Sequence, residues 1–342
     1  MNTTSRVTID DVAREAGVSI ATVSRVLNKT GPVAEATAAR VLEVVAALNY
    51  VPHAGARGLA GGRRRTIGLI FPGVADEFLS ELLRGIEQQT LAEGYKLLLY
   101  ATGWHPEERT LADLPLGEHN TDGLLVFGGS LSEAELTHFW QRALPIVLLY
   151  QSAPAGLRIP TVAFENKEGA RQAVTHLLAC GRRRIVFLRG PEGNEDSYWR
   201  ERGYEEALAA YGLAVDPALA GRGGFDDGIA RTAVSHLLQS GIDFDAIFAG
   251  DDKAASGALY ALQQAGKRVP EDVALVGFDD APYSRYLTPP LTTVRAPIGE
   301  SGQVAAEMLS CLIRGEETAL KTLLPTALVV RESCGSGLAG AD

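Results

Sequence analysis

The sequence predicts an α/β protein fronted by a small all-helical unit, and three observations predict it. Residues 7–28, VTIDDVAREAGVSIATVSRVLN, read as two short helices meeting at Gly17. From residue 66 onward, apolar strand-like runs alternate with helical segments. Charge also divides between the two parts. A β/α alternation implies doubly wound parallel sheets, and about 270 residues are too many for one such sheet, so two subdomains are expected.

Composition narrows the class. The chain has 342 residues, 46% hydrophobic and 22% charged, ordinary for a globular protein. No charge-free apolar run approaches the roughly 18 residues of a membrane span, so no membrane partner is expected. The start lacks the basic-then-apolar pattern of a secretory signal, which makes a cytoplasmic protein the expectation. Cys180, Cys311 and Cys334 are far apart in sequence. They argue against a disulfide framework or a zinc site and fit a reducing compartment. His176 and Cys180 share one expected helical face, but two soft ligands are not a metal site, and a structural role is expected. No cofactor is implied.

The net charge of −10 alone argues against nucleic acid. Its distribution argues the other way. Residues 1–65 hold nine Lys/Arg against five acids, while the rest hold 23 against 37. A basic front on an acidic body is what a nucleic-acid-binding module attached to something else would show.

In the opening stretch, Thr8 has the place of an N-cap and Asp11 that of the capping acid three residues on. Ile9, Val12, Ala13 and Ala16 recur at helical spacing. Gly17 permits the left-handed backbone that ends a helix. Ser19 caps a second helix, Ile20 to Leu27, with Val23, Val26 and Leu27 inward. Small residues at Ala13 and Gly17 let the helices cross steeply. That is helix-turn-helix geometry, in which the second helix lies in the DNA major groove. The outward residues Ser19, Ile20, Ala21, Thr22, Ser24 and Arg25 offer hydroxyl, methyl and guanidinium groups suited to phosphates, thymine methyls and guanine edges. Thr8 and Asn28 complete the candidate DNA-binding set on this helix pair. An ordinary helical hairpin is the competing reading.

A third helix is expected over Ala34–Leu48, with Val41, Leu42, Val45 and Leu48 as its apolar stripe. The following NYVPHAGARGLAGGRRR (49–65) has Pro52 to start a short helix and Gly61 and Gly62 to end it. Alone it is too short and glycine-broken to be stable, and it reads as a linker that folds on a partner. The Arg63–Arg65 run fits either a solvated stretch or a phosphate contact.

The body offers seven apolar runs, read as buried parallel strands: 66–71, 95–100, 122–128, 145–150, 184–190, 246–250 and 273–279. Helical segments such as 78–94, 167–181 and 252–266 separate them. Ligands of such sheets bind beyond the carboxyl ends of the strands. The aromatics Phe71, Phe127, Tyr150 and Phe164 and the carboxylates Asp251, Asp252 and Asp279 sit at or near those ends. Each has a structural alternative: Asp252 as the N-cap of a helix starting at 253, Asp280 as a turn or cap residue, Phe127 as core.

These motifs strongly resemble the lactose-repressor/galactose-repressor (LacI/GalR) family of bacterial transcription regulators. The resemblance covers residues 7 to about 333, through VTIDDVAREAGVSIATVSRVLN, LNYVPHAGARGLAGG and LVGFDDAPYSRYLTPPLTTV. It implies a helix-turn-helix headpiece (1–50), a hinge helix and linker (51–65), and a periplasmic-binding-protein-like core of two doubly wound parallel-sheet subdomains (66–333). The N-subdomain is expected at about 66–162 and 296–324, the C-subdomain at about 163–295 and 325–333, and a flexible tail at 334–342. Ile20, Ala21 and Arg25 match base-reading positions of the family. Tyr50 and Ala56 match residues near the DNA backbone and the hinge contact. Leu59 matches the leucine wedged into the central minor-groove step; such a wedge unstacks a base step and kinks the duplex.

In the core, Arg200 matches the family's effector arginine and Asp279 an aspartate that accepts sugar hydroxyls. Phe225 matches an aromatic that stacks on a sugar face, and Asp251 stands where asparagine is usual. Tyr150 and Ala296 depart from polar residues of relatives. The implied effector is a small molecule, a carbohydrate by family precedent, in a pocket more aromatic than usual. The implied partners are double-stranded operator DNA, pseudo-palindromic, and a second copy of the chain. The tail CGSGLAGAD is too short for an added coiled coil, so a homodimer rather than a tetramer is expected.

Two other classes compete with this one. A solute-binding sensor without a direct DNA role fits the core but not the front. An enzyme would need Asp251, Asp252, Asp279 and Asp280 as a magnesium site. The chain has no GxxxxGK[ST], GxSxG or HExxH and no glycine-rich dinucleotide loop. A non-enzymatic regulator is therefore expected.

Overall fold

The structure is a computed structural model that describes residues 7–28, 31–50, 64–73, 77–103 and 114–335. The hinge segment lies outside these residues, and with it Ala56 and Leu59.

The headpiece is built by its caps. Helix α1 (Ile9–Ala16) starts with a complete capping box: the Thr8 side chain accepts from the Asp11 N–H, and the Asp11 carboxylate accepts from the Thr8 N–H at 2.9 Å. It ends at Gly17 with φ 63° and ψ 38°, where a Cβ would be strained. Helix α2 (Ile20–Asn28) begins with Ser19 Oγ accepting from the Thr22 N–H at 3.2 Å. Helix α3 (Glu35–Ala47) closes a three-helix core of Val12, Ala13, Ala16, Val23 and Val41. Val26, Leu27, Val44, Val45 and Leu48 pack against it. Leu42 departs from the expected stripe: it is 52% exposed, because the inward face runs through Val41, Val44, Val45 and Leu48 and Leu42 lies one residue outside it. Tyr50 also belongs to this core and is buried.

The body holds two six-stranded sheets. The first contains β1 (Thr66–Phe71), β2 (Lys96–Ala101), β3 (Gly123–Phe127), β4 (Ile146–Leu149), β5 (Thr161–Phe164) and β11 (Lys321–Leu324). Its order is β11-β5-β4-β3-β1-β2, parallel throughout. The second contains β6 (Ile185–Arg189), β7 (Ala220–Arg222), β8 (Ala246–Ala249), β9 (Ala274–Asp279), β10 (Thr292–Arg295) and β12 (Ala327–Val329). Its order is β12-β10-β9-β8-β6-β7, with β12 alone antiparallel. Each sheet reverses its winding next to its first strand. Such a switch point opens a crevice at the carboxyl ends of the strands.

The seven expected runs are all strands of these sheets. One differs in burial. β2 is largely exposed rather than buried, because it is one of the two edge strands of its sheet, β11 being the other. β5, β7, β10, β11 and β12 are additional, each only three or four residues long. The chain passes between the sheets three times: after β5, after β10 and after β11.

Helices cover the sheets. In the first subdomain these are α4 (Glu77–Ala92), α5 (Glu133–Gln141) and α10 (Ile298–Arg314). In the second they are α6 (Asn166–Ala179), α7 (Glu195–Ala210), α8 (Asp227–Gln239) and α9 (Asp252–Gln264). The largest apolar cluster runs continuously from the first sheet, past α4 and α10, to α6, α7 and the second sheet. His176 on α6 is held structurally, with Nε2 3.2 Å from Cys334 Sγ and 3.8 Å from Cys180 Sγ.

Candidate functional site

A cavity of about 370 Å³ lies between the subdomains at the carboxyl ends of their strands. Pro72 and Gly73 after β1, Phe127 at the end of β3 and Tyr150 after β4 line it from the first subdomain. Pro191 after β6, Phe225 after β7, Asp251 after β8 and Asp279 at the end of β9 line it from the second. Three of these residues, Tyr150 (φ 61°), Phe225 (φ 55°) and Asp279 (φ 102°), have a left-handed backbone that non-glycine residues rarely adopt. Such conformations are kept where the surroundings over-determine them, and they cluster at binding sites.

Arg200 is the centre of the polar wall. It lies in the second turn of α7 and is 2% exposed. Its Nε donates to Asn166 Oδ1 at 2.8 Å and its Nη1 to the Gly250 carbonyl at 2.5 Å, while Nη2 stands 3.5 Å from Asp279 Oδ1. The guanidinium lies 3.8 Å from the centre of the Phe278 ring and 5.4 Å from that of Phe225. Five fixed donors on a flat cation, stacked on an aromatic face, give a rigid hydrogen-bonding plate. The Phe225 ring packs against Gly190, where a Cβ would come within 2.4 Å of it, and beside Gly250, where a Cβ would come within 3.1 Å of the ring and 2.8 Å of the Leu188 carbonyl.

Two residues of this network carried no sequence signal. Asn166, the first residue of α6, donates to Asp196 Oδ1 at 2.8 Å and so links Asp196 to Arg200. Asp196 lines the cavity from the first turn of α7. Burial pushes its carboxyl up to about 6, against the pull of Arg200. β5 is four residues long and shows no period, so Asn166, two residues past Phe164, does not stand out in the sequence.

The strand-end aspartates have different roles. Asp251 is the N-cap of α9, accepting from the Ala254 N–H at 2.8 Å, and it also faces the cavity. Asp252 is not the cap expected of it: it is the first helical residue and points inward. There it accepts from Ser284 Oγ and Thr293 Oγ1, both at 2.5 Å, and from the Ala281 N–H at 2.8 Å. Burial raises its carboxyl well above the ordinary range. Asp280 is a turn residue (φ 59°) whose carboxylate is paired with Arg295 at 2.7 Å and Arg331 at 2.5 Å. The four carboxylates weighed as a magnesium site are thus divided among separate partners.

The other expected effector residues are Phe71 and Phe164. Both are buried in the main core and do not line this cavity, and Ala296 is likewise core. Phe127 is half-buried and does reach it. Phe78, on α4, lines the cavity and was missed because it is one apolar residue of an amphipathic helix.

On the headpiece, Ile20 is 45% exposed and Ala21, Ser19 and Arg25 are also exposed, which leaves a continuous outward face on α2. Thr22 and Ser24 are half-buried; Ser24 Oγ accepts from Asn28 Nδ2 at 3.2 Å. Thr8 is exposed at the start of α1, its hydroxyl already engaged by Asp11. Tyr50, expected near the DNA backbone, is only 7% exposed, because its ring completes the three-helix core.

A steep helix pair with a small-residue reading face, joined to a two-sheet core with a ligand-sized cleft, defines a ligand-responsive DNA-binding protein. Residues 8–53 match the model described as bacterial regulatory proteins, lacI family, and residues 174–334 match the periplasmic binding protein-like domain. The ribose operon repressor of Halalkalibacterium halodurans is 36% identical, covering 96% of this chain and 98% of that protein. The structure of a transcriptional regulator CelR–cellobiose complex superposes with a TM-score of 0.73 at 33% identity, covering 96% of this chain and 100% of that one. The lac repressor dimer bound to operator and the anti-inducer ONPF gives 0.79 at 28% identity, covering 96% and 99%. The chain belongs to the lacI family of bacterial regulatory proteins. It is a DNA-binding transcription regulator, and a solute-binding sensor without a DNA role is set aside by the headpiece match.

Proposed function

We propose that this protein is a cytoplasmic, non-catalytic repressor that binds a pseudo-palindromic operator as a homodimer and is switched by an uncharged carbohydrate-type molecule in the cleft. The observation that carries the effector part is the Arg200 plate beside Asp279, a donor and an acceptor fixed side by side on the polar wall. Adjacent hydroxyls of a sugar ring need that pairing, and charge-assisted hydrogen bonds make it strong. The relatives support the ligand class through a cellobiose complex and a ribose complex. Arg25, Ile20 and Ala21 read bases, Ser19, Thr22 and Ser24 position α2 on phosphates, and the hinge leucine Leu59 enters the minor groove. A ligand shifts such a protein only through its different affinity for the two closures of the cleft, and that difference reaches the paired headpieces.

In vitro selection on random-sequence duplex DNA tests this function. The full chain should enrich a two-fold-related pair of half-sites, and Arg25→Ala should lose preference at one base pair of each. Enrichment of single, unpaired sites, or of no sequence at all, would overturn the operator assignment.

A further inference from the structure

The two walls of the cleft differ in kind. Among the described residues, every charged side chain that lines the cavity of about 370 Å³ comes from the second subdomain: Asp196, Asp226, Asp251 and Asp279 against Arg200 and Lys253. The first subdomain contributes Pro72, Phe78, Leu79, Phe127 and Tyr150, with two glycines. Tyr150 is the one potential donor among these, and its polar end is engaged elsewhere. Ser301 Oγ donates to the Ile298 carbonyl at 2.7 Å, so its oxygen receives the Tyr150 hydroxyl at 2.5 Å. What remains toward the cavity is the ring. Phe78, Phe127 and Tyr150 meet edge-to-face, with centroids 5.2–6.1 Å apart, in one preorganised aromatic wall.

Charge selects further. Lys253 stands 3.6 Å from Asp226, and Arg200 3.5 Å from Asp279. Among the described residues, acids outnumber cations four to two around the cavity. An anionic ligand would enter a low-dielectric space that already has an excess of negative charge, where repulsion is felt far more than in water. A bare monosaccharide would satisfy the polar wall but offer the aromatic wall only its narrow C–H edge, where a planar apolar group would cover all three rings.

We propose that the effector is an uncharged two-faced molecule: a diol-bearing ring held by Arg200 and Asp279, carrying a planar apolar group that lies against Phe78, Phe127 and Tyr150. An aromatic glycoside and a nucleoside share this chemistry. The proposal rests on the reading of the cleft as the effector site.

Thermal unfolding of the full-length protein tests it with matched probes. Each of several pentoses and hexoses is supplied free, as its phenyl glycoside and as its phosphate, alongside the common ribonucleosides. A phenyl glycoside or a nucleoside should raise Tm at about tenfold lower concentration than the parent sugar, and the phosphate should be weaker than the parent. Which aromatic probe wins separates the two sources. In Phe127→Ala the aromatic advantage should collapse. Parent and aromatic forms acting equally, a phosphate acting best, or an advantage that persists in Phe127→Ala would each overturn the two-faced ligand while leaving a carbohydrate effector in place. Shifts that persist unchanged in Arg200→Ala, or no shift with any probe, would overturn the cleft assignment itself.

Discussion

At the scale of single residues, the cleft is organised by a buried cation and the carboxylates around it. Arg200 and Asp279 were legible in the sequence because short motifs, SYWRERGY and LVGFDDAPY, carry them. Asp251 and Asp252 were not distinguishable, because which of two adjacent carboxylates caps a helix depends on one residue of phase. Asp196 was invisible for a related reason: an acid in the first turn of a helix is ordinary, and only its burial makes it special. That burial has a consequence. Its carboxyl is pushed up to about 6 from an ordinary 3.8, so between these values the folded protein holds a proton that the unfolded chain has released. Protonation thus favours the folded state, and this residue's contribution to stability falls as pH rises through that window. Asp196→Asn removes the effect. The stability of the variant relative to wild type should therefore rise between roughly pH 4 and pH 7, by about 3 kcal/mol at most. Urea unfolding of both proteins across this range measures it, and a flat difference would refute the buried ionisation. On the headpiece, Arg25 is exposed on α2. Arg25→Ala should cost about 1–3 kcal/mol of operator binding and relax one base preference, read by fluorescence anisotropy on a selected site.

Among elements, long amphipathic helices and buried parallel strands announce themselves by period and composition. β7 and β12, three residues each, do not, since a few residues carry no period. The close approach of α4 and α10 was equally unreadable. A Cβ on Gly85 would collide with the Gly299 carbonyl, and one on Gly302 would come within 2.5 Å of the Leu82 carbonyl. Both obstacles are backbone, so neither can move aside as a side chain would. Their contact holds α10, the segment that returns from the second subdomain to the first sheet, against α4. Gly85→Ala should therefore destabilise the core by roughly 3 kcal/mol, at the upper end of overpacking costs, although alanine is the better helix former. A denaturant midpoint equal to or above that of the wild type would mean that the helices separate freely.

For the whole molecule, the exposed β2 edge of the first sheet is the feature that composition alone misjudged. β2 reads KLLLYA, an apolar run typical of a buried parallel strand, yet Leu98 and Leu99 are 39% and 51% exposed. Leu91, on the neighbouring helix α4, is 64% exposed. A long, apolar, unpaired strand edge is a liability that natural proteins cover or blunt with charge, and parallel sheets are normally covered on both faces. The family acts on operator DNA as dimers, the lac repressor dimer on its operator among them. A second copy across β2 and α4 would bury these leucines and hold two headpieces at a fixed separation, which a two-fold-related operator requires. Leu99→Arg should then shift the protein toward monomer in sedimentation velocity. It should weaken operator binding by an amount that shrinks as protein concentration rises, because monomers still pair by mass action. Effector-induced thermal shifts should survive, since the cleft is built within one chain. An unchanged dimer in Leu99→Arg would move the interface away from β2, and loss of the effector response together with the dimer would mean that the second copy helps to shape the cleft.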